Sequence, residues 1–370
     1  MNNKKSSSKP IIWIFSIIFL VVILLVSFPY LASKFFGEDD TIFNDEDLIL
    51  TEANIEESEN SYFDLIKLSR VLADGEILEA EVELKIPEYI NDLNYLESYN
   101  WDSEIVEELL NNNEEALQVF DEAGNKSQFQ FNITSNPENI KPEMPVTDLH
   151  TWISISKINA IKAIYLMKGG EEEAAFSEAM KIIKIGSDIE KSRNIYLTAY
   201  IVGLDIGKIG LETINFLYEN SSSSVENMSN IKEKIQEYKI TNNKDPFIIE
   251  YMIFKKAVET SAINSIENSL DLNFFTKRLL NHKYYYKQIK TLNIVADYYH
   301  RVIEKFNTCD DKISTIRYKP QINWKTYFTE NAIGEILANT QTVGLDRIIN
   351  KKCDIENLMN STEELFTLRK

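Results

Sequence analysis

From Ile11 to Leu31 the chain carries no charged side chain, and Ile11 to Val26 is apolar except for Ser16. A helix rises about 1.5 Å per residue, so about 20 residues reach roughly 30 Å, the thickness of a bilayer's hydrocarbon core. A lone segment in lipid must satisfy its own backbone hydrogen bonds, which leaves helix as its workable state. The pattern predicts a transmembrane helix over residues 11–32, with the lipid bilayer as its partner. Trp13 and Tyr30 stand near its two ends, where amphipathic rings favour the interface. Pro29 marks the exit.

Lys4, Lys5 and Lys9 precede this segment, and Lys34 alone follows before Glu38, Asp39 and Asp40. Basic residues are retained on the cytoplasmic side, so the N-terminus is expected there and the rest of the chain outside. The competing reading is a cleaved signal peptide. Such peptides have apolar cores of about 7–15 residues and small residues at the cut. Here the core is longer, and Tyr30-Leu31-Ala32 puts a bulky residue three from the cut. The anchored reading divides the chain into a basic cytoplasmic tail (1–10), the membrane helix (11–32), an acidic linker (33–55) and an α-helical extracytoplasmic domain (56–370).

The net charge of −19 is unevenly spread. Residues 38–122 hold 27 acidic and 3 basic side chains, while residues 123–370 are close to neutral. An acidic membrane-proximal third disfavours nucleic acid as a partner.

With 8 prolines and 11 glycines, the chain lacks the turns of a sandwich or barrel. Helical periodicity recurs instead. Helices are expected at about 56–72, 103–123, 147–167, from 171 onward, 194–218, 225–238, 245–264, 281–306, 332–339 and 344–370. Residues 76–98 read as helix or strand, with their Glu and Ala content leaning to helix. Ala116, Phe120 and Ala123, and then Tyr165, Gly169 and Ala174, follow tetratricopeptide spacing. The two repeat-like alanines are 58 positions apart, not about 34 as in a regular array. The expected class is all-α: one transmembrane helix followed by an irregular, tetratricopeptide-like or solenoid-like body. The helix at 194–218 is apolar nearly all round. Its Gly203, Gly207 and Gly210 form a thin face, which implies a close backbone contact.

Chemistry-bearing motifs are scarce. No His-Glu-x-x-His, phosphate loop or Gly-x-Ser-x-Gly occurs. Asp297, His300 and Glu304 share a helix face, but 58 acidic residues make that coincidence cheap. No metal or other cofactor is expected. Between Tyr251 and Lys305, 9 basic and 5 acidic residues interleave with aromatics. The candidate contact surface there is Lys277, Arg278, Lys283, Tyr284, Tyr285, Tyr286, Lys287 and Lys290, suited to a protein, an anionic polymer or a glycan. The bland alternative is a core stripe with a solvated opposite face. Cys309 and Cys353 show no zinc spacing. They are either two buried thiols or one disulfide closing a long loop.

Asn60 to Leu65, Glu115 to Ala123, Tyr200 to Leu204, Thr291 to Tyr299 and Asn331 to Gly334 resemble segments of a loosely defined group of uncharacterised bacterial membrane-anchored α-helical proteins with degenerate tetratricopeptide-like hairpins. No activity or site residue comes with that resemblance. The functional expectation is a non-enzymatic, single-pass membrane-anchored binding or scaffold protein of the cell envelope. Its alternative is an extracytoplasmic enzyme that acts on glycan or polymer through acidic residues in an interhelical cleft.

Overall fold

The computed structural model describes residues 45–50, 54–73, 76–87, 94–131, 146–221, 225–239, 243–260, 286–309, 331, 334–335, 337–338 and 345–368. It is mostly helical, in agreement with the all-α expectation. Residues 11–32, the expected membrane segment, lie outside the described residues. Among those described, no helix is long and apolar enough to cross a membrane.

Among the described residues the helices are α1 (Tyr62–Leu65), α2 (Ser103–Asn112), α3 (Glu114–Asn125), α4 (His150–Lys168), α5 (Glu172–Lys191), α6 (Leu197–Asn220), α7 (Val225–Glu237), α8 (Asp245–Thr260), α9 (Gln288–Phe306) and α10 (Leu345–Leu368). The chain divides into two compact units. One comprises residues 1–47, 255–298 and 317–343. The other comprises 48–254, 299–316 and 344–370.

The second unit is built on α4, α5 and α6, each packed on the other two. α4 and α5 form the expected hairpin. Gly170, at φ +84°, makes the turn in a conformation that few side chains tolerate. α5 and α6 approach most closely through glycine. A Cβ on Gly186 would stand 2.4 Å from the Gly207 backbone nitrogen, and one on Gly210 would stand 2.8 Å from that of Ile183. The thin face of α6 therefore meets α5 backbone to backbone. α10 lies on α6 and α7, and α3 lies against α4 and α5.

The ends of the unit differ from the periodic reading, and buried asparagines are the reason. The helix expected over 56–72 is broken. A 3-10 turn spans Glu57–Glu59, and α1 leads through a second turn into strand β1 (Val71–Ala73). Asn60 is buried at the break. Its Oδ1 accepts from Gln130 N and its Nδ2 donates to Gln130 O, both at 2.8 Å. The side chain thus pairs with a peptide group as a strand would. Asn113 splits the helix expected at 103–123 in the same manner. Its amide pairs with both the N–H and the carbonyl of Lys85, each at 2.8 Å.

Within 76–98, the described residues 76–87 and 94–98 do not form the helix that composition favoured. β1 pairs antiparallel with β2 (Glu76–Leu78) and with β3 (Val146–Thr147), in the order β2-β1-β3. Ala73 pairs with Glu76 in that register. Residues 81–87 hold no regular element, and a 3-10 turn covers Tyr95–Asn100.

In the first unit, Asn331 sits at φ +59° and is fully buried. Its Oδ1 accepts from Lys287 N at 2.8 Å and from Thr291 Oγ1 at 3.2 Å. Gly334 packs so tightly there that a Cβ would stand 2.0 Å from Thr291 Oγ1.

Candidate functional site

A cleft of about 530 Å³ opens in the second unit between three stretches of chain. Asn54 and Ile55 line one side, Ser127 to Phe129 another, and Asp188 with Lys191 to Arg193 the third. Its size is in the range of small-molecule and peptide-side-chain sites.

Each wall is held from behind. Ser61 N donates to Gln128 O at 2.9 Å, and Gln128 N donates to Glu59 O at 3.2 Å, which fixes the 127–129 wall. Gln130 Oε1 accepts from Ile55 N at 3.1 Å and holds the facing segment. Phe129 is buried and anchors the floor. Its ring meets Trp152 at 5.7 Å and Phe131 at 5.3 Å, and Trp152 Nε1 donates to Leu65 O at 2.9 Å.

The third wall is the C-terminal end of α5. Helix ends leave carbonyls without intrahelical partners. Here Asn243 Nδ2 donates to Glu190 O at 2.8 Å and to Ser192 O at 2.7 Å. Asn194 takes φ +55°, and its N–H donates to Asp245 Oδ2 at 3.0 Å. The turn that carries Lys191, Ser192 and Arg193 is therefore rigid.

Charge in the cleft is mixed. Arg193 is exposed. Burial pushes the Lys191 ammonium below its ordinary pKa, partly offset by Glu190 and Asp188, and its Nζ donates to Glu237 O at 3.0 Å. Burial pushes the Asp188 carboxyl upward, although Lys184 Nζ lies only 2.6 Å from it. Ser127 Oγ donates to Glu59 Oε2 at 2.6 Å at the rim. The arrangement offers two cations, hydroxyls and amides around an apolar floor. It suits a ligand with an acidic group and neighbouring polar atoms.

Elsewhere, facing acids are occupied by lysines. Asp121 on α3 and Glu178 on α5 share Lys162 and Lys181; Lys162 Nζ lies 3.0 Å and Lys181 Nζ 2.9 Å from Glu178. Burial pushes Glu178 upward, but the two lysines outweigh it and hold the carboxyl below its ordinary pKa. The network locks α3, α4 and α5 together.

Of the contact surface expected from sequence, Lys277, Arg278, Lys283, Tyr284 and Tyr285 lie outside the described residues. Tyr286 and Lys290 are partly exposed. Lys287 is 6% exposed and belongs to the packed layer around Asn331. Cys309 and Cys353 are bonded, with Cα atoms 5.5 Å apart. Among the described residues, they and Glu356 form the group whose metal-capable atoms fall within 4.8 Å of one another. Lys352 shares that space. Its Nζ lies 2.8 Å from Glu356 Oε1 and 3.5 Å from Cys309 Sγ, an ammonium where a cation would have to sit.

The cleft residues carry no sequence motif. Lys191, Ser192 and Arg193 read as an interhelix loop, and Ser127 to Phe129 as the start of another. The available signal was two basic residues just ahead of the nearly all-apolar helix at 194–218. No family model, curated protein or solved structure matches this chain.

Proposed function

We propose that this protein is a single-pass membrane-anchored helical binding protein of the cell envelope, and that its ligand is held in the cleft between Asn54-Ile55, Ser127–Phe129 and Asp188–Arg193. The N-terminus lies in the cytoplasm and the helical body outside. Support for the anchor comes from the uncharged apolar run at 11–31 and the three lysines before it against one after. The tetratricopeptide-like spacing in α3 and in the α4–α5 hairpin supports a binding role.

The cleft itself carries the binding reading. Its walls are fixed by hydrogen bonds to neighbouring segments, so a ligand meets a preformed site and little ordering opposes binding. Lys191 and Arg193 on one wall set a preference for an acidic group. The alternative, an enzyme acting on glycan through paired acids, gains no such support, because the facing Asp121 and Glu178 are bridged by lysines.

Photo-crosslinking in the full-length, membrane-inserted chain tests this. A benzophenone side chain at Ser127 or Arg193 is expected to give discrete adducts that one at Glu104, exposed on α2, does not. The adduct from Ser127 should fall at least several-fold in R193E. Equal labelling from all three positions would overturn the assignment of the cleft.

A further inference from the structure

We propose that the Cys309–Cys353 bridge is a thiol–disulfide exchange site, with Cys309 as the sulfur that reacts and a dithiol, small or protein-borne, as its co-substrate. Cys309 is partly exposed, and Cys353 is buried at 8%. Cys309 follows α9 at φ +43°, a backbone state uncommon for a side chain of its type.

What separates this bridge from a structural staple is the ammonium beside it. Lys352 is 1% exposed. Its Nζ donates to Phe306 O at 3.1 Å, contacts Glu356 Oε1 at 2.8 Å, lies 4.9 Å from the Phe306 ring centroid and stands 3.5 Å from Cys309 Sγ. A buried lysine is costly unless paired, and this one is aimed at a sulfur. Glu356 Oε2 lies 2.8 Å from the same sulfur. Cys309 thus sits between one cation and one anion. Of the groups on the neighbouring α6 and α10, Tyr200 feels Glu356, and Lys351 Nζ lies 2.6 Å from Asp205.

Exchange runs in two steps. One thiolate of the dithiol attacks Cys309 Sγ, the S–S bond breaks, and its electron pair leaves on Cys353, which takes a proton. The second thiolate then attacks the dithiol's own sulfur in the mixed disulfide, and Cys309 leaves as a thiolate beside the Lys352 ammonium. The dithiol is oxidised to its disulfide and the bridge is reduced by two electrons. A nearby cation lowers a thiol's pKa, so Lys352 favours the reduced form and makes Cys309 the nucleophile when the bridge re-forms. Reduction frees Cys309 from Cys353, 44 residues along the chain.

The test uses the full chain in detergent, where the two cysteines are the only thiols. Dithiothreitol reduces the native protein, and iodoacetamide trapping with mass spectrometry then gives the alkylation rate of each cysteine against pH. Cys309 is expected to react at least tenfold faster than Cys353 at neutral pH. K352M should slow it by about tenfold, K352R should restore it, and E356Q should speed it several-fold. If K352M loses its helical circular dichroism, E356Q decides alone. A bridge reduced only after unfolding, or a Cys309 rate unmoved by E356Q, would overturn the proposal.

Discussion

Glu250 on α8 is a carboxyl raised by burial alone, with no ion pair or hydrogen bond among the described residues. Its pKa in the folded chain lies above the unfolded value. The folded state therefore holds more protons than the unfolded state between those two values, and stability contributed by this group falls as pH rises through that window. At neutral pH the charged form is a burden. E250Q is expected to raise the urea midpoint at pH 7 and to remove the gain in stability that protonation of Glu250 contributes on acidification from neutral. An E250Q midpoint below wild type at pH 7 would contradict this. Other single residues shape the chain without titrating. Asn60, Asn113 and Asn243 each hold a peptide group of a distant segment, and none was legible in the sequence. The helix expected at 103–123 runs through Asn111-Asn112-Asn113 unbroken, because only the fold supplies the Lys85 peptide that makes the break favourable. Local periodicity reports which face is apolar; it does not report a partner remote in sequence.

At the scale of elements, the long buried helices were the legible part. α4 and α6, and the start of α5, were found within a few residues because their apolar positions recur over many turns. The glycine face of α6 was readable for the same reason, since glycine within a helix costs about 1 kcal/mol against alanine and asks for a compensating contact. Its partner, Gly186 on α5, was not. The contact makes an asymmetric prediction. G186A places a methyl against the Gly207 backbone and should cost about 1–3 kcal/mol by forcing the helices apart. G207A meets nothing within 4 Å and should be neutral or gain up to about 1 kcal/mol from helix propensity. Guanidinium melts of the two variants check this. Similar losses in both would mean that α5 and α6 do not meet in this register. The short elements were misread because 71–73 and 76–78 draw their definition from pairing with each other and with 146–147. A three-residue strand carries too few side chains to show a period.

Over the whole molecule, charge and function divide along the chain. The acidic third lies next to the apolar run at 11–31, and the cleft's two cations, Lys191 and Arg193, belong to the near-neutral remainder. The cleft was not legible because its walls come from three stretches separated by 72 and 59 positions, and it exists only once α5, the 127–129 segment and the start of the second unit are assembled. Everything proposed about ligands and redox partners depends on which side of a membrane this body occupies. Protease shaving of intact cells that express the chain with a C-terminal epitope, set beside inverted membrane vesicles, measures that directly. The anchored, outward topology predicts loss of the epitope from intact cells and its protection in inverted vesicles. Protection in intact cells with loss in inverted vesicles would place the body in the cytoplasm and contradict it.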